Sequence, residues 1–274
     1  MTVLALCLLA ANSLLTRAGV LDGTDPLAFA AIRVGAGAVV LSCLAARRGV
    51  PLRGWRPAGA AVALVVYLLG FSLAYRTLDA GLGALILFAT VQVGLFALGL
   101  VRGEAAGGAR LAGMALALGG LAWLLWPHPG AAWNPRDAAL MVAAGLGWAA
   151  YSFAGRFETR PLAGSAGNFV LAAGLMALAA PVWWGAPVTP LGAALALASG
   201  AIASGLGYAL LFRVLPRMGA GTAGLAQLSV PVIAMAAGAA LLGEWPGGRA
   251  LAAGALVLCG IALAVLGPRR RPRG

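Results

Sequence analysis

"GEAAGGARLAGMALALGGLA", residues 103–122, returns as "GEWPGGRALAAGALVLCGIA", residues 243–262, at a shift of 140. Eleven of the twenty positions are identical, including Gly103, Glu104, Gly107, Gly108, Leu111 and Gly120. Chance identity in a chain this rich in Ala, Gly and Leu is about one position in eight, so low complexity does not account for the match. Each copy follows a long apolar run, "LILFATVQVGLFALGLVRGE" (85–104) and "LAQLSVPVIAMAAGAALLGE" (225–244), and both runs end on Gly-Glu. Two fainter matches keep the same order: "PLAFAAIR" from Pro26 with "PLAGSAGN" from Pro161, and "YRTL" from Tyr75 with "FRVL" from Phe212. Residues 1–126 and 137–267 therefore read as two copies of one unit, followed by a basic tail over 268–274.

The 274 residues are 62% hydrophobic and 9% charged, with a mean hydropathy of +0.96. A soluble domain carries about a quarter charged residues, so water is not the main solvent of this chain. All 19 basic residues are Arg. They fall in short clusters between apolar runs, as membrane-flanking loops require, and no soluble basic segment is long enough to be a nucleic-acid-binding domain. Cys7, Cys43 and Cys259 lie in apolar stretches without a CxxC pair, and His128 is the only His. Disulfide, metal and cofactor sites are therefore not expected. The first apolar run has no basic lead before it, so it reads as a spanning helix and not as a cleaved signal peptide.

A spanning helix needs roughly 17 to 25 mainly apolar residues. Ten such spans are predicted, at 3–19, 26–46, 56–75, 80–101, 109–126, 137–155, 161–184, 190–212, 219–242 and 248–267, making the chain all-α and polytopic. With a cytoplasmic N-terminus, 14 arginines fall in the inner segments: Arg47, Arg48, Arg53, Arg56, Arg102, Arg110, Arg156, Arg160, Arg213, Arg217 and the four of the tail. Four fall outside, Arg17, Arg76, Arg136 and Arg249, and Arg33 alone lies within a span. This asymmetry places both termini in the cytoplasm of a bacterial-type inner membrane. Trp55, Trp126, Trp133, Trp183, Trp184 and Trp245 at the span ends form the expected interfacial belt. Five helices per unit is an odd number, so the second copy enters the membrane from the opposite side. Such inverted repeats commonly serve alternating access around a midplane site.

The two Gly-Glu helix ends, the proline of the ninth helix (Pro231), the "FAAIR" opening of the second and the 5+5 plan resemble the EamA-type drug/metabolite transporter (DMT) superfamily over essentially the whole chain. The resemblance implies a ten-helix transporter, often an exporter of amino acids or other small metabolites, with a substrate cavity between the halves. The chain departs from an even repeat in carrying Val91 where the second copy has Pro231, and in starting its first helix almost at Met1.

All seven acidic residues, Asp22, Asp25, Asp79, Glu104, Asp137, Glu158 and Glu244, fall in loops or at helix ends. A proton-coupled carrier built on a buried carboxylate is thus not expected. Glu104 and Glu244 follow helix C-termini, where an anion needs a partner; Arg102, Arg110 and Arg249 are near in sequence. They read either as gate ion pairs or as turn residues capping the next helix. Arg33, about seven residues or ~10 Å into its helix, reads as a substrate-carboxylate contact, as a partner of Asp22 or Asp25, or as a snorkelling side chain. Asn168 occupies its place in the second copy.

Polar and aromatic groups also recur at mid-helix: Asn12 and Ser13; Tyr67 and Ser72; Thr90 and Gln92; Trp148, Tyr151 and Ser152; Asn168; Ser204 and Tyr208; Gln227 and Ser229. In lipid these must face protein or a water-filled cavity, and they read as cavity lining or as interhelical glue. Pro231 frees a carbonyl near Gln227 and makes a kink that could bend as a gate, or is a tolerated membrane proline. Gly108 with Ala112, and Gly248 with Ala252, are the expected close-packing faces.

The function these features support is export of a small, amino-acid-like metabolite by a secondary carrier. A multidrug exporter of lipophilic cations, which would want a buried carboxylate or a dense aromatic cage, is one alternative. A non-transporting assembly or lipid-handling protein is another. An enzyme would want a His, acid or Cys cluster at membrane depth, and the sequence offers none. Expected partners are the small-molecule substrate and the lipid bilayer. The duplication removes the need for an antiparallel dimer and leaves a homo-oligomer open.

Overall fold

The structure, a computed structural model, describes residues 2–46, 49–50, 55–104, 107–128, 133–214 and 227–266. The basic tail, Arg47, Arg48, Arg53, Arg217 and the start of the predicted ninth span at 219–226 lie outside these residues. Helices α1 (Thr2–Leu21), α2 (Pro26–Ala45), α3 (Trp55–Ala74), α4 (Ala80–Val101) and α5 (Gly108–Leu125) form the first half of the chain. The second half has α6 (Pro135–Gly155), α7 (Pro161–Leu178), short α8 (Ala180–Trp183), α9 (Pro190–Ala198), α10 (Gly207–Val214), α11 (Ser229–Leu242) and α12 (Gly248–Leu266). Among the described residues nine helices are long and apolar enough to cross a membrane, and Gln227–Leu242 is a shorter apolar one.

The helix ends follow from local chemistry. Proline opens α2, α6 and α9, where its missing N–H would have no intrahelical partner anyway. The residue before each proline caps the helix: Asp25 accepts from the Leu27 and Ala28 amides, Asn134 from Arg136, and Thr189 from Gly192. The two Gly-Glu ends share one mechanism. Gly103 (φ 81°) and Gly243 (φ 70°) turn left-handed, which glycine does without a Cβ clash. The following amides then bond back into the helix, Glu104 to the Gly99 carbonyl and Glu244 to that of Gly238.

Three expectations are corrected. The seventh span does not run unbroken to 184: Pro181 cannot supply the amide that continued helix needs, so α7 stops at Leu178 and α8 begins at Ala180. The eighth span is not a uniform α-helix, because Ser199–Leu206 between α9 and α10 winds as a π segment. Gly108 and Gly248 meet no neighbour and Ala112 and Ala252 are exposed, so they form no seam. The contact between α5 and α12 runs instead through Gly113, Ala117 and Gly260, where a Cβ on Gly113 would lie 2.4 Å from the Gly260 carbonyl oxygen.

Packing pairs α2 with α7, α4 with α11 and α5 with α12. Helix α1 lies against α11 and the α9–π–α10 span, while α6 lies against α4 and α3. Large apolar residues such as Val39, Val101, Leu178 and Leu241 point outward, as lipid-facing positions do. Of the belt tryptophans, Trp126, Trp184 and Trp245 are exposed at helix ends.

Candidate functional site

Arg33 lies in the middle of α2 with 0% of its surface exposed, so it does not snorkel. Nη2 donates to the Tyr67 hydroxyl of α3 at 2.8 Å, and Nε donates to Ser204 Oγ of the π segment at 3.4 Å. The guanidinium carbon sits 5.4 Å from the Tyr67 ring centre and 5.0 Å from that of Phe71, within cation–π range. Nη1 has no hydrogen-bond partner among the described residues.

The π segment is what brings Ser204 into this group. Ser199 and Ser204 both donate to Asn12 Oδ1 of α1, at 2.8 and 3.2 Å. Five residues apart on an α-helix they would diverge by roughly 140°, whereas the i to i+5 winding of a π turn aligns them. Gly200 permits the approach to α2: a Cβ there would lie 2.1 Å from the Arg33 carbonyl oxygen.

Aromatic rings extend the site from Arg33 into the second half. Trp148 of α6 is 4.9 Å from Tyr67, 5.4 Å from Tyr151 and 5.2 Å from Tyr208, and Phe169 of α7 is 5.7 Å from Tyr208. The Tyr151 hydroxyl donates to Ser165 Oγ at 3.2 Å and also meets the Asn168 side chain.

A family model for the EamA-like transporter family matches residues 137–266. An uncharacterized protein of Pseudomonas aeruginosa is 48% identical over 276 residues, which span 98% of this chain and 94% of that one. The chain belongs to the EamA-like transporter family. A solved crystal structure has the same fold at a TM-score of 0.67 and 22% identity, covering 96% of this chain and 98% of its own. The protein is thus a multi-pass membrane transporter of the DMT superfamily, working in a lipid bilayer on a small-molecule substrate.

In this EamA-like transporter, Asn12, Arg33, Trp148, Tyr151, Asn168 and Tyr208 come together in one connected group. Thr90 belongs elsewhere, buried in the α4–α6 seam where a Cβ on Gly145 would lie 2.6 Å from its own Cβ. Gln92, Gln227 and Ser229 are half-buried on α4 and at the start of α11. Pro231 sits in the first turn of α11, which begins at Ser229. Sequence reading passed over Phe71 and Ser199. Phe71 was findable as the residue one turn beyond Tyr67 on the same face; Ser199 was not, because only π winding turns it toward Asn12.

Neither Asp22 nor Asp25 reaches Arg33. Asp22 accepts from Thr189 Oγ1, and Asp25 caps α2 and faces Arg76 at 4.0 Å. The two Gly-Glu carboxylates sit on opposite faces of the bundle. Glu244 pairs with Arg17 of α1, Oε1 to Nε at 2.6 Å, and its Oε2 accepts from the Ala80 amide at 2.7 Å. Arg17 also donates to the carbonyls of Tyr75 and Arg76 and lies 3.7 Å from Asp79. Arg249, expected beside Glu244, instead donates to the Trp123 and Trp126 carbonyls at the end of α5. Glu104 meets Arg110 at 3.6 Å and Arg156 at 3.4 Å. Arg102 lies over the Phe153 and Phe157 rings.

Burial separates the two networks. The Arg17 and Glu244 side chains are 11% and 8% exposed, against 43% for Glu104 and 50% for Arg156. Glu104→Gln is therefore expected to change stability by less than about 1 kcal/mol, read as the thermal unfolding midpoint of the detergent-purified protein. A loss of several times that size would show that Glu104 holds the fold together.

Proposed function

We propose that this chain is a secondary carrier exporting a small, amino-acid-like metabolite by alternating access, from a bacterial-type inner membrane with both termini in the cytoplasm. The observation that carries the reading is Arg33, a cation buried at mid-helix against the Tyr67 and Phe71 rings, from which aromatic contacts continue through Trp148 to Tyr208 in the second half of the chain. An intramembrane charge is costly to keep and marks a substrate or ion pathway. A carboxylate-bearing solute fits it.

The division into two inverted units, 1–126 and 137–267, is supported by the packing. Exchanging the halves converts the contact of α1 with α11 into that of α6 with α4, and the contact of α1 with the eighth span into that of α6 with α3. Under the same exchange Arg17 with Glu244 corresponds to Arg156 with Glu104. We read these pairs as gates that close in alternation. The buried outer pair and the solvated inner pair fit a state closed toward the outside. Pro231, in the first turn of α11, is read as the point at which the gate helix bends. A lipophilic-cation exporter is disfavoured because Arg33 would repel its cargo.

Efflux from proteoliposomes loaded with amino acids, their deaminated carboxylate analogues, nucleosides, sugars and lipophilic cations tests the reading, with mass spectrometry as the readout and a proton gradient imposed or omitted. Selective loss of a carboxylate-bearing class is expected. Retention of every solute by correctly inserted protein would replace the carrier reading with a partner-binding or lipid-handling role.

A further inference from the structure

We propose that the solute is bound as an organic monocarboxylate without a free ammonium, its carboxylate docking on Arg33 Nη1. This rests on the carrier reading of the same site and narrows "amino-acid-like" to a deaminated or N-acylated amino-acid skeleton.

The charge inventory carries the argument. A guanidinium does not escape burial by losing its proton, so the site presents a full positive charge that needs an anion. All seven carboxylates of the chain are engaged at helix ends. Asp22 meets Thr189, Asp25 Arg76, Asp79 and Glu244 Arg17, Glu104 Arg110 and Arg156, Asp137 Thr77, and Glu158 the Arg160 amide. Among the described residues no carboxylate pairs with Arg33.

The donors narrow the geometry. Nε and Nη2 are taken by neutral hydroxyls and the flat face by two rings, which leaves the Nη1 edge to meet the cargo. A bound monoanion neutralises the site. A zwitterion would bring an ammonium into the same enclosure with no carboxylate to receive it, so two cations would share one buried anion. Trp148, Tyr208 and Phe169 form an aromatic wall extending from Tyr67, suited to an apolar or flat side group.

The test is isothermal titration of the detergent-purified full chain with three matched sets: 3-phenylpropionate and phenylalanine, indole-3-propionate and tryptophan, 4-methylpentanoate and leucine. N-acetylphenylalanine, 3-phenylpropionamide, phenethylamine and sodium chloride complete the series. The carboxylates and the N-acetyl compound are expected to bind about tenfold or more tighter than the zwitterions. The amide, the amine and chloride are expected to bind no better than the zwitterions. Arg33→Gln should weaken carboxylate binding roughly 30-fold or more, and Arg33→Lys should recover part of it. The wild-type series stands even if Arg33→Gln fails to fold.

Zwitterions binding as tightly as their deaminated partners would overturn the inference, as would chloride competing equally or no carboxylate binding at all. Running the same compounds as efflux substrates separates the two claims. Binding of the carboxylates without flux sinks the carrier reading and leaves the charge assignment. Equal flux of zwitterions and carboxylates sinks the charge assignment and leaves the carrier.

Discussion

Replacing Arg17 with alanine is expected to cost about 3 to 5 kcal/mol, because removing one partner of a buried ion pair strands the other charge. The stranded group is Glu244, whose side chain is only 8% exposed. The substitution also takes the donor away from the Tyr75 and Arg76 carbonyls. Four parts of the chain meet at Arg17: α1, the α3–α4 connection, the start of α4 and the α11–α12 turn. Its loss should lower the thermal unfolding midpoint of the detergent-purified protein. Glu244→Ala should act in the same direction. The double change Arg17→Ala with Glu244→Ala should cost less than the two single changes added together. Strict additivity would show that the pair contributes no coupling and is no latch.

Asp79 gives this face a pH dependence of opposite character. Burial raises its carboxyl above the ordinary aspartate value, the Glu244 carboxylate raises it further, and Arg17 opposes both. The folded protein therefore holds the Asp79 proton to a higher pH than the unfolded chain does. As pH falls through the folded value the native state takes up the proton first, so Asp79's contribution to stability grows on acidification. Asp79→Asn should flatten that part of the stability–pH profile.

Gly200→Ala is the second large effect. The added methyl would stand 2.1 Å from the Arg33 carbonyl oxygen and 2.8 Å from Ala36 Cβ, so α2 and the π segment must separate by more than an ångström. Overpacking of this kind costs about 1 to 3 kcal/mol. The bond from Arg33 Nε to Ser204, already 3.4 Å long, should be lost. Flux should then fall roughly tenfold or more, since a site displaced by an ångström loses its supporting contacts. Gly35→Ala is the control: it lies two residues from Arg33, yet its Cβ would meet nothing within 4 Å. Equal flux from both variants would mean that the π segment's approach to α2 is not needed for transport.

Much of the connected group around Arg33 was legible because certain residue types stand out in an apolar chain. Arg33 is conspicuous as the one charge within a span, and Trp148, Tyr151 and Tyr208 as large rings with polar tips. Thr90, Gln92, Gln227 and Ser229 stood out for the same reason, and the structure places them on α4 and at the start of α11, with Thr90 in the α4–α6 seam. Polarity marks a residue as needing protein or water beside it, without saying which neighbour it has. The two Gly-Glu carboxylates show the same limit. Proximity in sequence suggested Arg249 for Glu244, but its partner is Arg17, 227 positions away.

The sequence by itself determined the solvent, the helical class, most helix boundaries and the confinement of all seven carboxylates to helix ends. These depend on short-range properties: hydropathy summed over about twenty residues, proline at a helix start, and glycine in the left-handed turn before each glutamate. Only the tertiary structure decided that Arg33 has no carboxylate partner among the described residues, that a π turn aligns Ser199 and Ser204 on Asn12, and that Glu244 is buried while Glu104 is solvated. The physical reason is that a side chain's partners depend on which faces of two helices oppose each other. That opposition is set by close contacts such as Gly200 against Arg33 and Gly113 against Gly260, between residues far apart in the chain.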